Sequence, residues 1–200
     1  YHININNTDK IFYYTTCGWM MWNWLVSSLY FGSTVVLYEG NPFYPKNSSL
    51  LKLMDSIGLT IFGTSAKYIS YLESEKEIPK NIAKFKNLKM ILSTGSSLSS
   101  TSFDYVYNKW KKDVQLCSIS GGTDIISCFA LGAPNLPVKR GKLQCIGLGM
   151  SVKSYNNRGV HEYNKKGELV CDKAFPSMPI YFWNDQDGDK YKNAYFNKFP

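Results

Sequence analysis

The sequence predicts an α/β fold: a mostly parallel sheet with flanking helices, followed by a small antiparallel β subdomain. Three observations point there. Over residues 1–138, short apolar or β-branched runs alternate with stretches of helical periodicity, and Ser, Thr or Gly stands at the switch points. Over residues 139–200, short β-like runs are punctuated by Gly141, Gly147, Gly149, Asn156-Asn157-Arg158-Gly159 and Lys165-Lys166-Gly167, the texture of hairpins. Strands alternating with helices of ordinary length imply βαβ units with right-handed crossovers.

The elements follow in order. A helix from about Trp19 to Phe31 is stopped by Gly32, and Thr34–Tyr38 reads as a strand. Ser48 is positioned to cap a helix through Ile57, with Leu50, Leu51, Leu53, Met54 and Ile57 at helical spacing and Gly58 ending it. Leu59–Phe62 is the next strand, Thr64 or Ser65 caps a helix to about Glu73, and a polar connector with Pro79 leads to a strand at Leu88–Leu92. Ser99 or Ser100 opens a helix to about Lys112, and Val114–Ile119 is the fourth strand. In the second region Val152–Tyr155 and Glu168–Cys171 read as strands, with no helical periodicity. In parallel sheets, ligands bind beyond the carboxyl ends of the strands. Two loops fall there, Ser93–Ser97 and Ser120–Asp124.

Composition narrows the function. With 44% apolar, 16% aromatic and 19% charged residues the 200-residue chain is globular and large enough for a core. It starts at Tyr1 and stops straight after an aromatic run, and is read as an excised piece of a longer protein. The net charge of +8 invites a nucleic-acid partner, but only Arg140 and Arg158 are arginines, and the Lys runs are short, so a solvated surface is preferred. Five cysteines, none in a C-x-x-C pair, point to a reducing, cytoplasmic setting and away from zinc. Two histidines leave little room for a His-based catalytic or metal site. Ile11–Tyr38 carries no charge, yet its polar residues and glycines break it into buried soluble elements, so no membrane span is expected.

Several motifs fail on inspection. Asp185–Asp189 looks like a calcium loop, but Lys190 and Phe196 stand where an EF-hand needs Gly and Glu, so a polar turn is preferred. No Walker or Rossmann glycine pattern follows a strand, and the Asn-x-Ser/Thr matches at Asn6 and Asn47 mean little without secretion. Ser120-Gly121-Gly122-Thr123-Asp124 is richer: its glycines admit close backbone approach, Thr123 offers a hydroxyl and Asp124 a hard oxygen for Mg²⁺. The same residues also make a good turn.

Gly18-Trp19-Met20-Met21-Trp22, Ser93–Leu98, Ser120–Asp124, Arg140-Gly141, Gly167–Cys171 and Phe175–Pro179 occur in the order seen in adenylate-forming acyl-CoA synthetases. The chain resembles that family along essentially its whole length, most of all the members that activate acetoacetate. The resemblance implies part of the large N-terminal domain of such an enzyme, with the adenylate and acyl-pocket loops in residues 1–138 and a truncated β-rich subdomain in 139–200.

It also implies roles residue by residue. Gly95, Ser96 and Ser97 match the segment along the adenine; Gly121, Gly122, Thr123 and Asp124 match the nucleotide loop, with Thr123 at the α-phosphate and Asp124 at Mg²⁺. Most relatives have Glu at the Asp124 position, so a closer approach or a bridging water is implied. Trp19, Met20, Met21, Thr94 and Gly121 match positions lining the acyl pocket. Acetate-specific relatives carry Trp where Gly121 stands, so the glycine either opens the pocket to a longer acid or simply serves the turn. The implied reaction is an acid–thiol ligation: a carboxylate attacks the α-phosphate of ATP to give acyl-AMP and pyrophosphate, and CoA then displaces AMP. No catalytic residue has a match here, because the family's phosphate loop lies upstream and its adenylation Lys downstream. The expected partners are a small carboxylic acid, ATP and CoA. The alternatives are a ligase for another small or medium-chain acid, or a non-catalytic nucleotide-binding or nucleic-acid-binding protein.

Overall fold

In the computed structural model, which describes residues 1–199, the chain divides into two units: Tyr1–Cys145, and a second beginning at Ile146. The first is built on a five-stranded sheet, β1 (Lys10–Tyr13), β2 (Thr34–Val36), β3 (Ile61–Ser65), β4 (Met90–Thr94) and β5 (Gln115–Ser118), all parallel, in the order β2-β1-β3-β4-β5. The helices are α1 (Met20–Ser27), α2 (Ser49–Ser56), α3 (Ala66–Ser74), the short α4 (Pro79–Ile82) and α5 (Ser100–Tyr105). The α/β class expected from the sequence is therefore the observed one.

Side chains of successive strand residues face opposite sides of a sheet, and here both sides are covered. Phe12, Phe62, Ile91 and Leu116 pack with Leu51 and Met54 of α2, Ile69 and Leu72 of α3, and Phe103 of α5. Ile11, Ile61, Leu92 and Cys117 pack instead with Met20, Met21 and Leu25 of α1. Each fully buried Leu, Ile or Phe in these layers contributes about 1.5–3 kcal/mol. Buried Asp9 pins the start of β1: its carboxylate accepts from Lys89 Nζ at 2.8 Å, Thr60 Oγ1 at 2.8 Å and Asn6 N–H at 2.9 Å.

Local chemistry explains where the elements depart from expectation. The first helix is not continuous from Trp19 to Phe31; it gives way to a 3₁₀ turn at Ser28–Phe31, where Ser27 and Ser28 hydroxyls donate to the carbonyls of Trp24 (2.7 Å) and Leu25 (2.5 Å). Gly32, at φ +72°, then ends it in the left-handed region, as read from the sequence. Ser65 and Ser99 are the caps of α3 and α5, accepting from Tyr68 N–H at 3.1 Å and Ser102 N–H at 3.0 Å. Ser48 makes no side-chain cap. The last helix of the unit ends at Tyr105 and widens into a π turn, Val106–Trp110, instead of running to Lys112. Strand β1 begins at Lys10, just before the long charge-free run, and has its other three residues buried, so it shows no apolar–polar alternation.

Beyond β5 the chain forms the short strands β6 (Ser120–Gly122) and β7 (Ser127–Leu131), paired antiparallel, and β8 (Cys145–Ile146), in the order β6-β7-β8. The second unit contains the expected strands β9 (Val152–Tyr155) and β10 (Glu168–Cys171), paired antiparallel. It also contains α6 (Asp189–Tyr195), which the sequence reading lacked. Asp185 explains it: its carboxylate accepts from Lys190 N–H at 3.1 Å and Tyr191 N–H at 2.9 Å, so the acidic turn serves as the helix cap.

Candidate active site

The register of β4 and β5 brings two loops to the same sheet edge. Ser93 pairs with Ser118, Ile119 N–H donates to Ser93 O at 2.8 Å, and Thr94 Oγ1 donates to Ile119 O at 3.3 Å. The chain leaves β4 through Gly95, whose φ of +87° suits glycine, passes Ser96 and Ser97, and enters α5 at Ser99. It leaves β5 through Ile119 into the Ser120–Gly122 strand.

A third segment arrives from β1. Tyr13 pairs with Gly63, whose missing side chain leaves room for the Tyr13 ring. That ring meets Trp19 edge-on at 5.9 Å, and Met20 and Met21 follow, buried, in the first turn of α1. Burial holds the Tyr13 phenol well above its usual ionisation range, so it stays neutral. The Met20 N–H donates to Thr123 Oγ1 at 3.4 Å, which links the start of α1 to the Gly-Gly-Thr loop.

These segments enclose a cleft of about 610 Å³. Trp19, Met20, Met21 and Thr94 line it, as do Gly95, Ser96 and Ser97. Gly121, Gly122 and Thr123 line it too, whereas Asp124, also singled out from the sequence, is not among the described lining residues. Asp124 follows directly and is exposed, and its Oδ1 stands over the face of Gly122 where a side chain would begin. Gly121 lines the cleft through its backbone, since a Cβ on it would run into the Ser127 carbonyl and Cys128 of β7. This direction favours the turn-serving alternative for that glycine.

A further wall, Gly141–Leu143, carried no assigned role in the sequence, although the Arg140-Gly141 turn was part of the motif series. The long sequence separation hid it. Arg140 forks onto Asp104 of α5, Nε to both carboxylate oxygens at 2.9 Å and Nη2 to Oδ2 at 2.8 Å. Those hydrogen bonds hold the Asp104 carboxyl below the usual carboxylate range.

The cleft can bind and orient an anion-bearing ligand: hydroxyls of Ser96, Ser97 and Thr123 and glycine backbone line it, and no carboxylate does. Among the described residues no group of three or more His, Cys, Asp or Glu side chains is placed to hold a metal ion. The exposed Asp124 carboxylate beside the cleft could offer one hard oxygen to a divalent ion. No described helix is long and apolar enough to cross a membrane.

No protein-family model matches the chain. It is 49% identical over 199 residues to the acetoacetyl-coenzyme A synthetase of Rhizobium meliloti, covering 100% of this chain and 31% of that protein. The acetoacetyl-CoA synthetase of Gallus gallus is likewise 49% identical, with 100% and 30% covered. Among solved structures, acetoacetyl-CoA synthetase from Streptomyces lividans superposes with a TM-score of 0.92 at 39% identity, covering 100% of this chain and 31% of that one. The anthranilate CoA ligase AuaEII in complex with anthranoyl-AMP has a TM-score of 0.80 over 96% of this chain and 36% of its own, but at 15% identity it shows the fold alone. In sequence and in fold the chain is thus similar, from end to end, to a segment spanning about three tenths of acetoacetyl-CoA synthetases.

Proposed function

We propose that the protein carrying this chain is an ATP-dependent acid–thiol ligase that activates acetoacetate as acyl-AMP and transfers the acyl group to CoA. The observation that carries this reading is the 49% identity to acetoacetyl-CoA synthetases along the whole chain. Convergence of Trp19–Met21, Thr94–Ser97 and Gly121–Thr123 on one cleft supports it.

In this reading Gly95, Ser96 and Ser97 lie along the adenine, while Thr123 donates its hydroxyl hydrogen to an α-phosphate oxygen, where charge builds up as the carboxylate attacks. Trp19, Met20, Met21 and Thr94 face the acyl group. Asp124 would hold Mg²⁺, which neutralises phosphate charge when bound. The chain's share of catalysis is positioning and charge stabilisation, terms that can lower a barrier without any covalent step on the protein. The five free cysteines support a reducing, cytoplasmic location.

The test is ATP–pyrophosphate exchange by the full-length protein with acetate, acetoacetate, butyrate and longer acids, followed by thioester formation with CoA. Exchange greatest with acetoacetate is the expected result. Exchange with no acid overturns the ligase reading, and exchange greatest with another acid overturns the choice of substrate. The 200-residue piece alone is expected to be inactive.

A further inference from the structure

The lining of the cleft is electrically neutral except at one place. Its other side chains are hydroxyls, aliphatics, methionines and one indole; Lys142 is the only ionisable residue among them. Among the described residues no carboxylate stands within ion-pair distance of its ammonium.

The position of Lys142 is built by its neighbours. A turn closes from Lys142 N–H to Lys139 O at 3.0 Å. Within that turn Arg140 grips Asp104 of α5 through three hydrogen bonds of 2.8–2.9 Å. Gly141, at φ +68°, places the face where a side chain would begin against Ser100 Oγ, at the start of the same helix. Ser99 caps that helix directly after the Gly95–Leu98 loop. The turn and the loop are therefore two walls braced by one helix, and a side chain at Gly141 would be strained at that φ and would displace the Ser100 hydroxyl.

We infer that Lys142 is a further nucleotide-binding residue, supplying the cleft's one positive charge to the phosphates of the bound nucleotide, with Arg140–Asp104 as the pair that positions it. The inference rests on the nucleotide reading proposed above. The turn that carries Lys142 is braced on the start of α5, directly after the Gly95–Leu98 loop, the segment assigned above to the nucleotide. A lysine ammonium is a strongly hydrated point charge on a flexible stem, suited to following phosphates without fixing the geometry of the reacting atoms. No carboxylate is among the described lining residues, and none of the described ion pairs engages its ammonium. Arg140 is spent on Asp104 and cannot substitute for it.

The test compares binding of AMP and of adenosine to the full-length protein by calorimetry at low salt. Because a hydrogen bond to a charged group is involved, Lys142→Gln should weaken AMP binding roughly tenfold while leaving adenosine binding unchanged. Lys142→Arg should restore most of the AMP affinity, and Asp104→Asn should lower it in the same direction by a smaller factor. Melting curves of the variants should superpose on that of the parent. Unchanged AMP affinity in Lys142→Gln overturns the inference, and so does an equal loss for AMP and adenosine, which would mark a general disturbance of the cleft. A parent protein that binds neither ligand overturns the nucleotide reading itself, a result separate from either of these.

Discussion

A Cβ on Gly121 would lie 2.9 Å from Cys128 Cα, its cross-strand partner, and closer still to the Ser127 carbonyl. The register between β6 and β7 slips between Ser120 and Gly121. Backbone cannot yield as a flexible side chain does, so even alanine must push the strands apart. Gly121→Ala is expected to cost about 1–3 kcal/mol, the usual range for overpacking. Gly121→Trp should lower the melting temperature and exchange with every acid alike, because the indole starts toward β7 and not into the cleft. A stable Gly121→Trp enzyme that prefers acetate would restore the reading of Gly121 as the missing wall of the acyl pocket.

Among the described residues the Thr123 hydroxyl has one hydrogen bond, the 3.4 Å bond from Met20 N–H, longer than the ordinary 2.7–3.2 Å range. As acceptor in that bond the hydroxyl keeps its hydrogen for a ligand. Thr123→Val therefore should leave the melting temperature nearly unchanged while slowing ATP–pyrophosphate exchange by roughly 10- to 100-fold, the worth of a hydrogen bond to a charged group. Asp124→Ala should slow exchange similarly and raise the Mg²⁺ concentration needed for half-maximal rate. Wild-type exchange in both variants would show that this loop is not the phosphate and metal loop.

Much of this arrangement was legible in the sequence, and the exceptions have physical causes. Capping is local, so Ser65 and Ser99 could be read within a few residues, and Gly32 announced its own left-handed conformation. β1 was not legible because a parallel strand buried on both faces shows no alternation. α6 was missed because its start is fixed by Asp185, reaching forward over five and six residues from a turn, and not by an apolar stripe. In the candidate site, the two loops after β4 and β5 could be placed from strand order alone. The Gly141–Leu143 wall could not, since the Arg140–Asp104 grip that holds it spans 36 residues.

The five free thiols should divide by burial. Desolvation pushes Cys117 and Cys128 up to about 12, and Cys145 up as well, whereas Cys17 is exposed. Thiolate is the nucleophile, so at neutral pH a buried thiol of this kind is almost entirely unreactive. Brief iodoacetamide treatment of the native protein should label Cys17 well ahead of Cys117 and Cys128, which react only after denaturation. Labelling of Cys117 at a rate comparable to Cys17 would mean that the strand β5 opens readily, contrary to its place in the core.

The hairpin of the second unit should weaken in acid through Asp172. Its carboxylate accepts hydrogen bonds from Lys153 Nζ, from Ser151 Oγ at 2.6 Å and from Tyr155 Oη at 3.2 Å. The Lys153 and Ser151 bonds foremost hold its pKa down at about 2, against an ordinary value of 3.8. A carboxyl whose pKa is lower when folded than when unfolded stabilises the folded form above the unfolded pKa, and that contribution is lost as pH falls toward the folded value. Amide-exchange protection of β9 and β10, corrected for intrinsic rates, should thus decline from about pH 4 down to about pH 2. In Asp172→Asn the protection should be lower at neutral pH and lose less over the same interval. An equal decline in parent and variant would show that Asp172 is not the group that makes this hairpin acid-sensitive.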